Sequence, residues 1–149
     1  MPKTVLFLCS GNYYRSRFAE ILFNHLAEQR RLNWRASSRG LSHEFGPWNV
    51  GPISVHALEG LKRCGIPGSK AHRMPIRCEA EDLAGANMVI ALKEAEHRPL
   101  LDWRFPGWSD RVRFWTIHDI DAAAPQDALP ELERHVRELV DRLCAADLP

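Results

Sequence analysis

Residues 5–16 read Val5-Leu6-Phe7-Leu8-Cys9-Ser10-Gly11-Asn12-Tyr13-Tyr14-Arg15-Ser16. The apolar run from Val5 to Leu8 is bounded by turn residues and is too short for a helix, which predicts a buried strand. A Ser-Gly-Asn turn ends it, and a long amphipathic pattern begins at Ser16. Cys9 is therefore expected at the C-terminal end of a strand, with Arg15 closing the loop and a helix N-terminus pointing into it. Such a loop aims successive backbone N–H groups at one point, and the helix dipole adds positive potential there. An anion belongs in that cup. A cysteine at its lip has its thiolate stabilised by the same field, which makes it a nucleophile.

The loop can be read residue by residue. Ser10, Gly11, Asn12, Tyr13, Tyr14, Arg15 and Ser16 form the expected phosphate-binding set, their amides holding three oxygens and setting phosphorus against the Cys9 sulfur. Arg15 offers a planar fork that grips two oxygens and follows the charge into the transition state. Ser16 can donate its hydroxyl to the thiolate. Gly11 allows close backbone approach, and Asn12 tolerates the left-handed conformation. The plainer reading is a buried structural cysteine beside a helix-capping serine. The strand before the motif and the helix after it favour the anion cup.

These residues also carry a family likeness. The stretch from Val5 to Glu20, VLFLCSGNYYRSRFAE, resembles the phosphate loop of the low-molecular-weight protein tyrosine phosphatases. The resemblance continues through Ser37-Ser38-Arg39-Gly40, Gly65-Ile66 to His72-Arg73, and Asn87-Met88-Val89-Ile90-Ala91-Leu92, and ends at an acidic loop around Asp119. It implies a phosphocysteine intermediate on Cys9 and a phosphotyrosine I-type phosphatase fold with strand order 2-1-3-4. It implies that His72 helps brace Asn12. Phe45 and Trp48 become candidates for stacking on an aryl phosphate or for packing under their loop. Arg39 and His43 are candidates for the mouth of the site or for a solvated loop. Three departures stand out. Pro75 replaces a usual arginine, Lys93 stands where the family tends to show an acid, and Tyr14 stands where it commonly has a second cysteine.

Length and composition set the class. With 149 residues the chain is expected to be one domain, 1–149, large enough for a sizeable core. A net charge of +1 predicts no nucleic-acid partner. No apolar run approaches membrane-spanning length, and Met1-Pro2-Lys3 leads directly into the first strand, so neither a membrane segment nor a signal peptide is expected. Cys9, Cys64, Cys78 and Cys144 are scattered, which suits a reducing cytoplasm better than a disulfide framework. The seven histidines show no metal spacing, and no cofactor is expected.

Along the chain, a helix is expected from about Ser16 to Arg31, with Phe18, Ala19, Leu22, Phe23 and Leu26 on one face. Trp34 to Ser38 reads as an edge strand. Pro52 is expected to open a helix to Cys64, with Val55, Leu58 and Leu61 inward and Gly65 as its stop. Glu79 to Gly85 reads as a short helix and Met88 to Leu92 as a third strand. Pro99 is expected to shorten or delay a helix over Glu94–Asp102. Val112 to Trp115 reads as a fourth strand. Asp127 to Ala145 reads as a helix with Leu132, Val136, Leu139, Val140 and Leu143 inward and Pro130 in its first turn. Strands alternating with helices predict a doubly wound α/β fold, a four-stranded parallel sheet with helices on both faces. Its ligand would sit beyond the C-terminal strand ends.

Hydrolysis of a phosphomonoester also needs a proton donor for the leaving oxygen. The family supplies an aspartate from an Asp-Pro sequence followed by tyrosines, and here the loop reads Ile117-His118-Asp119-Ile120-Asp121-Ala122. By its distance from Trp115, Asp119 is the better match and Asp121 the alternative. The expected substrate is a phosphotyrosine protein or a small aryl phosphate. Two other readings stand beside it, a thioredoxin-linked arsenate reductase on the same scaffold and a non-catalytic phosphate-binding module. The reductase needs two further cysteines near the site, and the module is favoured only if neither aspartate reaches the loop.

Overall fold

Strand β1 (Lys3–Cys9) is the axis of the molecule. The computed structural model describes residues 1–46, 49–68, 73–120 and 122–146. β1 lies between β2 (Trp34–Gly40) and β3 (Met88–Ala91), and β4 (Arg113–Phe114) pairs beyond β3. Every pairing is parallel, so the sheet has the expected order β2-β1-β3-β4.

β1 can be central because both of its faces are apolar. Val5, Phe7 and Cys9 project into one core, and Leu6 and Leu8 into the other. The first core is closed by α1 (Arg15–Gln29), α2 (Val55–Arg63) and α5 (Pro125–Ala146). The second lies under α3 (Ala80–Gly85) and α4 (Glu94–Arg104). Helices thus cover both faces, and parallel strands leave their C-terminal ends together at one rim.

Several element boundaries differ from expectation for identifiable reasons. α1 stops at Gln29 because Arg31 turns left-handed at φ 52°, and the Leu32 amide donates back to the Ala27 carbonyl at 2.9 Å. α2 opens at Val55, not Pro52, since Ser54 is its N-cap and accepts the His56 amide at 3.2 Å. Gly65, at φ 80°, ends it as expected. Val55 is 56% exposed, so the inward assignment fails for it while Leu61 is buried.

α4 neither starts late nor stops short. It begins at Glu94 and runs through Pro99, which forfeits the single bond to the Ala95 carbonyl. Two glutamates in its first turn suit the dipole, and Leu101 anchors it in the core. α5 likewise carries Pro130 inside it rather than in its first turn, because it starts at Pro125; all five expected inward residues are buried. β4 is shorter than expected, two residues long.

Candidate active site

The chain leaves β1 at Cys9 and enters α1 at Arg15, and the loop between them has its carbonyls turned outward. The Cys9, Ser10 and Tyr13 carbonyls accept the amides of Leu41, Ser42 and Ser54 at 2.8, 3.0 and 2.9 Å. Among the described residues none accepts a hydrogen bond from the N–H of Gly11, Asn12, Tyr13 or Tyr14. Outward carbonyls and unengaged amides are the two halves of an anion cup.

Asn12 sets the loop's curvature. It is fully buried at φ 50°, as expected for a residue that tolerates this conformation. Its Nδ2 donates to Ser16 Oγ at 2.9 Å and Ser38 Oγ at 2.8 Å. Its Oδ1 accepts Arg73 Nη1 and the Ile76 amide, both at 3.0 Å. Arg73 also reaches Glu20 at 2.8 Å and Ser38 Oγ at 3.0 Å, and Ser38 Oγ donates to Glu20. The loop is thereby tied to α1, to β2 and to the segment before α3. His72, expected as a brace of Asn12, lies outside the described residues.

Cys9 Sγ sits 2.9 Å from Ser16 Oγ. Because Ser16 Oγ already accepts from Asn12, its own hydrogen is available for the sulfur. Arg15 is buried, and its Nη2 lies 3.3 Å from Asp119 Oδ2. Asp119 follows β4 at the same rim, and its Oδ1 accepts its own neighbour's amide, that of Ile120, at 2.8 Å. The structure thus gathers Cys9, Arg15, Ser16 and Asp119 at the strand ends. Asp121 lies outside the described residues.

A carboxylate from outside the loop also takes part. Glu96, in the first turn of α4, accepts Arg15 Nη1 at 3.1 Å and Nη2 at 2.9 Å. Ser10 Oγ donates to it at 2.5 Å. Burial raises the Glu96 pKa, but hydrogen bonds from Arg15 and Ser10 prevail and hold it down at about 2. His97 Nδ1 accepts the Lys93 amide at 3.0 Å, which leaves the ring proton on Nε2, 3.1 Å from Ser10 Oγ. Burial first, and Arg15 second, push the His97 pKa down to about 4.

Above the cup is a cavity of about 420 Å³, lined by Cys9, Gly11, Tyr13, Tyr14, Arg15 and Asp119 at its base. Val50, Val55 and Ile120, all exposed, form its mouth with Asn49 and His56. The Tyr13 hydroxyl donates to the Val50 carbonyl and straps that wall to the loop. Burial, with Asp119 adding to it, pushes the Tyr14 phenol up to about 12. Phe45 is not in this cavity; its ring packs over Gly40, where a Cβ would meet ring carbons at 2.5 and 2.8 Å. Trp48 lies outside the described residues. Arg39 pairs with Asp82 at 3.4 Å and His43 stacks edge-on against Trp103, so neither lines the mouth. Of the thiols, Cys9 alone among the described residues lines the cavity, and Cys78 is buried in the opposite core. Among the described residues no cluster of three or more His, Cys, Asp or Glu could hold a metal ion, and no helix is long and apolar enough to cross a membrane.

The family model described as low molecular weight phosphotyrosine protein phosphatase matches residues 4–145. The chain belongs to that family. It is 35% identical over 101 residues to the low molecular weight phosphotyrosine protein phosphatase of Pongo abelii, covering 66% of this chain and 60% of that relative's length. It is 30% identical over 153 positions to the protein-arginine-phosphatase of Bacillus subtilis, covering 93% and 95% of the two chains. A low molecular weight protein tyrosine phosphatase from T. tengcongensis superposes with TM-score 0.74 at 27% identity, over 97% of this chain and 99% of that one.

Within this chain, Glu96, His97, Arg73, Glu20 and Ser38 around the loop, and Asn49, Val50, His56 and Ile120 at the cavity mouth, are residues to which sequence reasoning gave no role. Glu96 had no usable signal, because its partner Arg15 is separated from it by 81 residues. Arg73 had none, because its partner Asn12 is separated from it by 61 residues.

Proposed function

We propose that this chain hydrolyses phosphate monoesters through a phosphocysteine on Cys9. The observation that carries the proposal is the convergence of Cys9, with Ser16 at 2.9 Å, Arg15, and Asp119 at 3.3 Å from Arg15, beneath one cavity. The Cys9 thiolate attacks phosphorus, the Sγ–P bond forms and the P–O bond to the leaving group breaks. Asp119 gives its proton to the departing oxygen. Arg15 and the loop amides balance the charge on the equatorial oxygens as it redistributes. Water then attacks the phosphocysteine while the Asp119 carboxylate takes its proton. The Sγ–P bond breaks, and inorganic phosphate leaves with the thiolate restored.

The family supports phosphotyrosine proteins or aryl phosphates as substrates. Phosphoarginine proteins form a second reading, favoured by the nearly full-length match to an arginine phosphatase. The reductase reading loses support because the cavity holds no second thiol among the described residues. The family match over residues 4–145 supports reading 1–149 as one domain, and four free thiols support a reducing, cytoplasmic setting. Relative kcat/KM on phosphotyrosine and phosphoarginine forms of one peptide tests the substrate class. A preference of about tenfold or more for phosphotyrosine upholds the aryl reading, and the reverse preference upholds the second.

A further inference from the structure

The Arg15 guanidinium has two edges that can hold a bidentate anion, and Glu96 occupies one of them. Its two oxygens meet Nη1 and Nη2, the end-on edge. The second Nη1 hydrogen goes to the Ile117 carbonyl at 3.0 Å. What remains is the edge formed by Nε–H and the second hydrogen of Nη2, where Asp119 stands. A bidentate anion taking that edge would leave the Glu96 contacts intact.

Glu96 is itself held by a directional chain. The Lys93 amide donates to His97 Nδ1, so Nε2 carries the proton and donates to Ser10 Oγ. Ser10 Oγ must then direct its own hydrogen to Glu96 Oε1, since an ionised carboxylate can only accept. His97 is fully buried, at 0% exposure, so it has no solvent as a substitute partner. The carboxylate thus joins the residue after the nucleophile to the arginine that closes the loop.

We propose that Glu96, held by the His97–Ser10 relay, is a positioning residue that fixes the end-on edge of Arg15 so that its other edge meets the phosphoryl oxygens in the transition state. This rests on the reading of Cys9 and Arg15 as the reacting pair. Glu96 touches no substrate atom. It also offsets the Arg15 charge, so it tempers ground-state binding of a phosphate dianion while raising the precision of the arginine.

That combination gives a signature that loss of structure would not. In Glu96→Gln an amide N–H₂ faces Arg15 and the offsetting charge is gone. The kcat for p-nitrophenyl phosphate should fall between about 10- and 100-fold, while inorganic phosphate, titrated by calorimetry, should bind as tightly as to wild type or more so. Ser10→Ala, which keeps the carboxylate but removes one of its donors, should lower kcat less, with phosphate binding again preserved. Unchanged kcat in Glu96→Gln overturns the proposal. So does a parallel loss of kcat and phosphate binding, which would mean that Glu96 only holds the loop together. If Glu96→Gln does not fold, Ser10→Ala decides by the same pair of readouts. Wild-type turnover that Cys9→Ser abolishes upholds the reading of the reacting pair whatever Glu96→Gln does; turnover that survives in Cys9→Ser removes both.

Discussion

At the scale of single residues, the side chains of Asn12 and Ser16 are saturated with hydrogen bonds, while the loop amides are left for an anion. Asn12 spends all its side-chain hydrogen-bonding capacity on the loop, and Ser16 is left with one hydrogen and one sulfur to give it to. Asp119 differs, being part-exposed and tethered by one oxygen to its neighbouring amide. The other oxygen faces Arg15 and the cavity, where a leaving group would depart. A phenolate of low basicity leaves unaided, whereas an alkoxide needs the proton. Asp119→Asn should therefore slow alkyl phosphates by on the order of 10²- to 10⁴-fold and p-nitrophenyl phosphate much less. Equal slowing of both substrates, measured as kcat, would contradict the role. The gathering of Cys9, Arg15 and Asp119 at one place was legible in sequence because one short motif and one acidic loop announce it. Glu96 was not, because only folding brings residue 96 beside residue 15, and no local pattern encodes a contact across 81 positions.

At the scale of elements, β2 supports the loop through close packing as well as hydrogen bonding. The Gly40 carbonyl and amide pair with Cys78 and Ile76, and a Cβ at Gly40 would stand 2.8 Å from the Ser10 carbonyl and against the Phe45 ring. The ring can shift, but the Ser10 backbone belongs to the anion cup. Gly40→Ala should thus lower kcat/KM by about tenfold or more while destabilising the fold by only about 1–3 kcal/mol. Denaturant unfolding and p-nitrophenyl phosphate kinetics on the same sample separate the two effects; a large stability loss with normal activity would refute the account of this contact. The same scale explains where sequence reasoning about elements went astray. Pro99 and Pro130 signal helix ends by local chemistry, yet Leu101 in α4 and the Leu132–Leu143 face of α5 bury enough apolar surface to carry each helix through its proline. Val55 satisfies the helical period but faces the cavity mouth, because substrate clefts interrupt the rule that periodic apolar residues face a core.

At the scale of the whole molecule, a parallel sheet with helices on both faces followed from the alternation of buried strands with amphipathic helices, whereas the strand order came from family likeness. A consequence of the site's burial reaches overall stability. His97 has its pKa lowered from 6.5 to about 4, so between those values the unfolded chain binds a proton that the folded one excludes. Stability from this group is present above about pH 6.5 and is lost as pH falls toward 4. Glu96, lowered from 4.5 to about 2, adds stability that is present above 4.5 and lost as pH falls toward 2. The melting temperature should therefore decline in two overlapping stages on acidification. His97→Asn should flatten the first stage; an unchanged profile in that variant would contradict the buried neutral imidazole.

The central claim is that phosphorus passes through the Cys9 sulfur. Mixing the Asp119→Asn protein with p-nitrophenyl phosphate, quenching within a turnover and mapping peptides by mass spectrometry tests it directly, since hydrolysis of the intermediate is slowed in that variant. The account predicts a phosphoryl group on the Cys9 sulfur, and no turnover when Cys9→Ser is added to the same background. Steady release of p-nitrophenol with no phosphoryl group on Cys9, or turnover that survives Cys9→Ser, would contradict it.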